Sequence, residues 1–343
     1  MSKTQPISVL LLIIFILVAY SFVQGCDKTT NTEKGAKIPM ETYYIGRFSV
    51  AVPAGMKLAV RTAALRYVEI NEIVWPKDMS HEQVRTAEWN NFMAEVNKLT
   101  PPIRTDKVIL RMQEYPGVGQ WAKGLFYHKE GDATDEATWS LLVDTGFVAL
   151  WLKGDSTMVD DENSTNRMAN NISHIGENYK VLDMINLKGK PQCNCFYLQH
   201  GIINLPYLEE EESYARFKDH PLKLVLTIKM EMDIGYNRET IGLIENTKEM
   251  LAVAALQPGG SMSKIRLEKR EVAGMKGEES ILRISEDGRK TLQFTWEFNG
   301  KEDSGEYPTT TIEMESPDGK LDEKIKIWDA VLDSMKPMFV RKK

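Results

Sequence analysis

The chain has 343 residues, a formal net charge of −6, 42% hydrophobic and 27% charged residues. That is length enough for two domains of ordinary size and apolar content enough for a packed core, which excludes a disordered chain. The mild acidic excess excludes a basic nucleic-acid surface, and only three cysteines exclude a disulfide-dense scaffold.

From the N-terminus, Met1 to Pro6 carry one charged side chain, Lys3, and Ile7 to Val23 are apolar apart from Ser8, Tyr20 and Ser21. The run is long for a signal-peptide core and short for a membrane span, which takes roughly 20 residues. The residues at its end decide between the two. Val23-Gln24-Gly25-Cys26 resembles a bacterial lipobox, a small residue ahead of a thiol that accepts diacylglycerol, and several acyl chains anchor where one would not. Residues 1–25 are therefore expected to be a lipoprotein signal peptide and Cys26 the lipidation site. By the same resemblance Asp27 is a sorting residue that favours the inner membrane. The polar, aperiodic stretch 26–40 reads as a flexible tether.

The body then shows the same order of elements twice. Tyr44–Val52 reads as a strand ending at Pro53-Ala54-Gly55, and Leu58–Trp75 as a longer one. Ser80 and Gln83 fit a capping box for a helix with the apolar face Trp89, Phe92, Met93, Val96 and Leu99, stopped by Pro101-Pro102. Strand patterns follow at Val108–Tyr115, Gln120–His128 and Thr138–Leu152, then a weaker helix over Met158–Ile175. Beyond Gly189 and Pro191, Phe196–Leu205 is extended, and Leu222, Leu224, Leu226, Ile228, Met230 and Met232 alternate as in a half-buried strand. Ile241, Ile244, Leu251 and Ala255 mark a helix. Strands recur at Ile265–Val272, Glu279–Ser285 and Leu292–Phe298, with hairpin turns at Asp287-Gly288 and Asn299-Gly300. Ile312 and Met314 suggest a last strand, and Leu321, Ile325, Trp328, Leu332 and Met335 a closing helix. The expected fold is α+β: two domains of related topology, 41–186 and 192–343, each a mainly antiparallel sheet with helices packed on one face.

Chemistry is sparse. Gly-x-Ser-x-Gly, Walker and Gly-x-Gly-x-x-Gly patterns are absent, and Gly117-x-Gly119 lies between strand patterns and opens no helix. Gly154-Asp155-Ser156 has the letters of a short esterase signature, but Ser156-Thr157 stand where a helix N-cap belongs. His81, His128, His174, His200 and His220 are scattered without an i, i+4 metal pair, and only His200 is retained, as a contact residue. Cys193 and Cys195 leave two readings open, a local disulfide or two small side chains at a strand start. No catalytic residue, metal or cofactor is expected. Glu209, Glu210, Glu211 and Glu212 form an acidic run after Pro206-Tyr207-Leu208. Four adjacent like charges need water, so the run is either a solubilising loop or an acidic prong that docks on a basic partner. With Tyr207 and His200 it makes up the candidate partner-binding set. Asp160-Asp161-Glu162 suit a helix N-terminus.

Three segments, in order, carry a resemblance. They are Tyr44-Ile45-Gly46-Arg47-Phe48 running into Val52-Pro53-Ala54-Gly55, Cys195-Phe196 with His200-Gly201, and Lys276-Gly277-Glu278-Glu279 with Phe294-Thr295-Trp296. Together they resemble the periplasmic immunity proteins of the type VI secretion system, in the Tle-cognate group that neutralises lipase effectors. The resemblance implies a non-enzymatic antidote: a lipid-anchored periplasmic monomer that binds one secreted lipase or phospholipase. It would cover the lipase's active-site entrance or restrain its lid. The first domain offers no cysteine to pair with Cys195, so a bridge between domains is in doubt. The residues alone also fit a periplasmic lipoprotein that scaffolds the envelope or binds a small ligand.

Overall fold

In the computed structural model, left-handed turns break the long extended stretches of the sequence. The structure describes residues 38–340 except 104, 132, 158–160, 183–192, 209, 233–240, 257–260 and 287. Met1–Ile38 and Pro39–Lys343 are separate units, and the strands and helices below belong to the second. The expected signal peptide, Cys26, Asp27, most of the tether and Glu209 lie outside the described residues, as does Asp287 of the expected turn.

Instead of one strand over Tyr44–Val52, Gly46 at φ 56° makes a hairpin of β1 (Met40–Ile45) and β2 (Phe48–Pro53). Instead of one over Leu58–Trp75, Arg66 and Tyr67, at φ 54° and 64°, form the two-residue turn between β3 (Lys57–Leu65) and β4 (Val68–Val74). Helix α1 (His81–Val96) starts after Ser80, but the serine side chain makes no cap bond, so the expected capping box is not formed. Strands β5 (Ile109–Glu114), β6 (Trp121–Tyr127), β7 (Glu136–Asp144) and β8 (Val148–Thr157) follow as antiparallel neighbours. Ser156, expected at a cap, lies inside β8. Asp161 caps α2 (Glu162–Asn178) instead, its carboxylate accepting from the Asn163 and Ser164 amides.

After β9 (Tyr179–Val181) come a small hairpin, β10 (Phe196–Tyr197) and β11 (Gly201–Ile203), then β12 (Glu211–Lys218) and β13 (Val225–Glu231). The rest is α3 (Leu243–Ala254), β14 (Ser261–Val272), β15 (Met275–Glu286), β16 (Arg289–Asn299), β17 (Thr309–Pro317), α4 (Leu321–Ser334) and β18 (Lys336–Pro337). Asn299 and Gly300 open a longer connection to Thr309 rather than a tight turn.

Twelve strands form one antiparallel sheet in the order β14-β15-β16-β17-β13-β12-β3-β4-β8-β7-β6-β5. Outward from the central β3–β12 pair, both halves read alike: first strand, second strand, then the last four in reverse. The small hairpins are exchanged between the halves. β1–β2 pairs with β18 beyond α4, and the Ala51 amide donates to Ser334 Oγ of α4 at 2.7 Å. β10–β11 pairs with β9 beyond α2, and Phe196, Leu198 and Ile203 enter the core of the first half beside Leu141, Leu152 and Ile172. The halves therefore share one sheet and interleave at its centre.

Helices lie on both faces of the sheet, not on one. In β7, Leu141 packs with Met168, Ile172 and Ile175 of α2, whereas its neighbour Leu142 packs with Trp89 and Val96 of α1. Successive strand residues point to opposite faces, so the two helices sandwich the sheet. In β15, Glu279 accepts from Trp328 Nε1 of α4 at 2.8 Å, while neighbouring Ser280 meets Thr247 of α3 at 3.4 Å. The single-face expectation fails because strands such as β7 (burial of eight consecutive residues) are apolar on both sides. Cross-strand register then assigns the layers. Trp151, beside α1, pairs with Asn71, and the same face continues through Glu69, Ala64, Glu212, Glu231, Thr309 and Asn299. It therefore also holds Glu297 and Glu278, which meets α3 through the Ile244 amide. One face is covered by α2, the two hairpins and α4. The other carries α1 and α3 at its wings. Among the described residues no helix is long and apolar enough to cross a membrane.

Candidate partner-binding surface

The described part of the acidic run, Glu210 to Glu212, does not form a prong. Glu211 lies in β12 at the middle of the sheet, opposite Leu65, and is only 8% exposed. Its carboxylate accepts from Arg47 Nε at 2.7 Å and Arg47 Nη2 at 2.5 Å, a fork-to-fork ion pair between β12 and the β1–β2 turn. Burial pushes the Glu211 carboxyl up, and the hydrogen bonds and charge of Arg47 only partly pull it back. Glu210 and Glu212 stay half-buried on either side. Strand alternation thus overrides the argument that four adjacent acids all need water.

The His200 backbone and the Tyr207 ring also make internal contacts. The His200 amide donates to the Glu72 carboxylate at 2.9 Å, and the Tyr179 hydroxyl donates to the same group at 2.8 Å, binding the β10–β11 turn to β4. The Tyr207 ring fills the space above Gly305, where a Cβ would collide with it. Cys193 and Cys195 are joined as a disulfide across a bend rather than at a strand start, with their Cα atoms 5.2 Å apart. The remaining histidines do not converge: His128 is buried against the Glu136 carbonyl, and His220 Nδ1 accepts from the Leu222 amide. Ser156 Oγ is buried and has no hydrogen-bond partner among the described residues, so none of these supplies a base to it. Among the described residues no three His, Cys, Asp or Glu side chains are placed to hold a metal ion.

Among the described residues, no helix or hairpin covers the middle of the α1/α3 face. Two depressions occupy it. One, of about 530 Å³, is bordered by Thr62, Glu69, Asn71, Trp151, Lys153 and Glu212. The other, of about 420 Å³, is bordered by Tyr214, Arg216, Thr227, Lys229, Glu313 and Glu315. Every second residue of β12, β13 and β17 supplies this floor, a period visible in the sequence but without an address until the other face is known to be covered.

Negative charge on this face is crowded. Glu278 stands directly opposite Glu297, and Glu212 opposite Glu231. Burial, then Glu313 and then Glu278, push the Glu297 carboxyl up, while burial and Glu315 do the same to Glu313. Like charges across a ladder cost stability, and the protein offsets part of this itself: Lys229 pairs with Glu231 at 2.6 Å, and the Ile244 amide donates to Glu278 at 2.9 Å. At the wing, α3 exposes Met250 and Val253, at 44% and 55%. An open floor that mixes acids with Lys153, Arg216 and Lys229, and an apolar wing, suit docking of a protein surface, since small-ligand sites are enclosed and mostly apolar.

Over residues 191–338 the sequence matches a family model described as the Tle cognate immunity protein 4 C-terminal domain. Comparison with curated proteins gives no match. Three solved structures are similar. Apo immunity protein TplEi of the T6SS from Pseudomonas aeruginosa aligns with TM-score 0.69 and 17% identity, covering 88% of this chain and 98% of that one. A chain of the Tle4-Tli4 complex gives 0.70 and 19%, with 88% and 98% covered. TplEi from Pseudomonas aeruginosa complexed with an "L" peptide gives 0.66 and 18%, with 88% and 99% covered. At these identities the likeness establishes the fold, across both halves and not only the segment matched by the family model.

Proposed function

We propose that this chain is an immunity protein that binds and inhibits a lipase effector of the type VI secretion system, acting by contact and not by catalysis. The observation that carries the reading is the family match over residues 191–338, joined to a fold likeness that spans both halves and includes a chain of the Tle4-Tli4 complex. The middle of the α1/α3 face, where Lys153, Arg216 and Lys229 stand among Glu69, Glu212, Glu313 and Glu315, is where the effector docks. It covers the lipase active-site entrance or restrains its lid, which blocks lipid access without any reaction by the antidote.

In this reading the antidote works where the toxin does, in the periplasm. Residues 1–25 act as the signal peptide, Cys26 carries the lipid, Asp27 retains it at the inner membrane and 26–40 serve as tether. The halves 41–186 and 192–343 act as two lobes of one monomer that takes one effector. Co-expression tests the proposal. A periplasm-directed lipase encoded beside this gene should kill cells, and this chain should rescue them. Equal killing with and without it would end the antidote reading. Cys26→Ala should weaken rescue while leaving binding of the purified proteins intact.

A further inference from the structure

Arg47 is 3% exposed, and each of its side-chain nitrogens has a protein partner. Nε and Nη2 lie on Glu211, and Nη2 also donates to the Leu205 carbonyl at 3.1 Å. Nη1 depends on a single residue: it donates to the Asn194 carbonyl at 3.1 Å and to Asn194 Oδ1 at 3.0 Å. Asn194 is itself exposed in a bend, yet it is the one residue enclosed by the Cys193–Cys195 disulfide. The small ring is thus what aims both of its oxygens at a buried cation.

The site lies at the joint of the halves. Cys193 Sγ is 3.4 Å from the Tyr197 hydroxyl, and the Tyr197 amide donates to the Gly46 carbonyl at 2.7 Å, linking the two exchanged hairpins. A disulfide between residues so close in sequence gains little from loop closure, so its effect must come through what it positions.

We propose that the Cys193–Cys195 bridge is a redox-sensitive clamp on this joint: oxidised, it holds Asn194 on Arg47, and reduced, it releases Asn194 and loosens the contact between the hairpins. A dithiol reductant attacks the half-buried Cys193 sulfur, forms a mixed disulfide and displaces the Cys195 thiolate. Its second thiol then resolves the intermediate. Two electrons and two protons end on Cys193 and Cys195 as thiols, and the reductant leaves as a disulfide.

The full chain in detergent micelles, with and without dithiothreitol, tests this by thermal unfolding and amide hydrogen exchange. Reduction should lower Tm by about 2–4 °C and speed exchange of the Tyr197 amide by about tenfold or more. The Cys193→Ser/Cys195→Ser variant, which retains Cys26, should ignore the reductant and match reduced wild type. Arg47→Lys, which lacks Nη1, should show a clearly smaller response to reductant. An equal response in Arg47→Lys, no response in wild type, or alkylation of Cys193 and Cys195 without reductant would each overturn the clamp. If Arg47→Lys does not fold, Tyr197 exchange in wild type decides alone.

Discussion

The indole of Trp328 donates to the carboxylate of Glu279 at 2.8 Å, and neither residue has any exposed surface. The same carboxylate also accepts from Arg266 at 2.9 Å and Arg270 at 3.2 Å, and Asp329 bonds both arginines. The charge is therefore buried only because donors surround it. Trp328→Phe keeps the aromatic packing against Phe294 and removes one donor. It should cost about 1–3 kcal/mol in urea unfolding, and a variant as stable as wild type would show that the indole bond contributes nothing.

Glu211 and Glu212 are adjacent acids with opposite fates. Glu211→Ala leaves Arg47 buried without its counter-ion and should destabilise by about 3–5 kcal/mol. Glu212→Ala should stay within about 0.5 kcal/mol of wild type, or stabilise slightly by removing repulsion with Glu231. Matching denaturation midpoints for the two variants would contradict the buried pair.

pH separates the two classes of acid. The Glu297 carboxyl is raised above its ordinary 4.5, first by burial and then by Glu313 and Glu278. A raised carboxyl favours the folded state below 4.5, and that contribution is lost as pH rises through its folded value. Glu297→Gln should therefore raise Tm at pH 7, with the gain shrinking towards pH 4.5. At Asp329, burial pushes the carboxyl up, but hydrogen bonds and charge from Arg266 and Arg270 outweigh it and hold it below 3.8. Its contribution is present above 3.8 and disappears as pH falls through the lower, folded value, so Asp329→Asn should blunt acid unfolding there. Thermal scans from pH 2.5 to 8, an interval of about that width around the carboxylate range, check both signs.

Charge reversal tests the docking face. Glu313→Lys with Glu315→Lys should weaken binding of the neighbouring lipase by about tenfold or more and flatten its salt dependence, while circular dichroism is unchanged. Reversal at exposed Glu286, at the far end of β15, serves as control. Equal loss from both variants would place the contact elsewhere.

Much of the element order was legible. Ile312, Met314, Phe294 and Trp296 alternate as strands require, and all four are buried. The turn between β3 and β4 was hidden because Arg66 and Tyr67 give no glycine signal yet adopt positive φ. Some of the resembling residues prove to be packing contacts: a Cβ on Gly277 would overlap the Glu297 carbonyl oxygen and press on the Trp296 ring. The candidate site was not legible, because burial of Glu211 depends on Arg47, which is 164 residues away.

By itself the sequence determined an antiparallel α+β body with its elements repeated, because strand and helix periods are local properties of the chain. Only the tertiary structure decided that the halves share one sheet, that their hairpins are exchanged and which face stays bare. Those outcomes rest on contacts between distant segments, and a polar residue on a strand looks the same in sequence whether it meets solvent or a buried counter-ion.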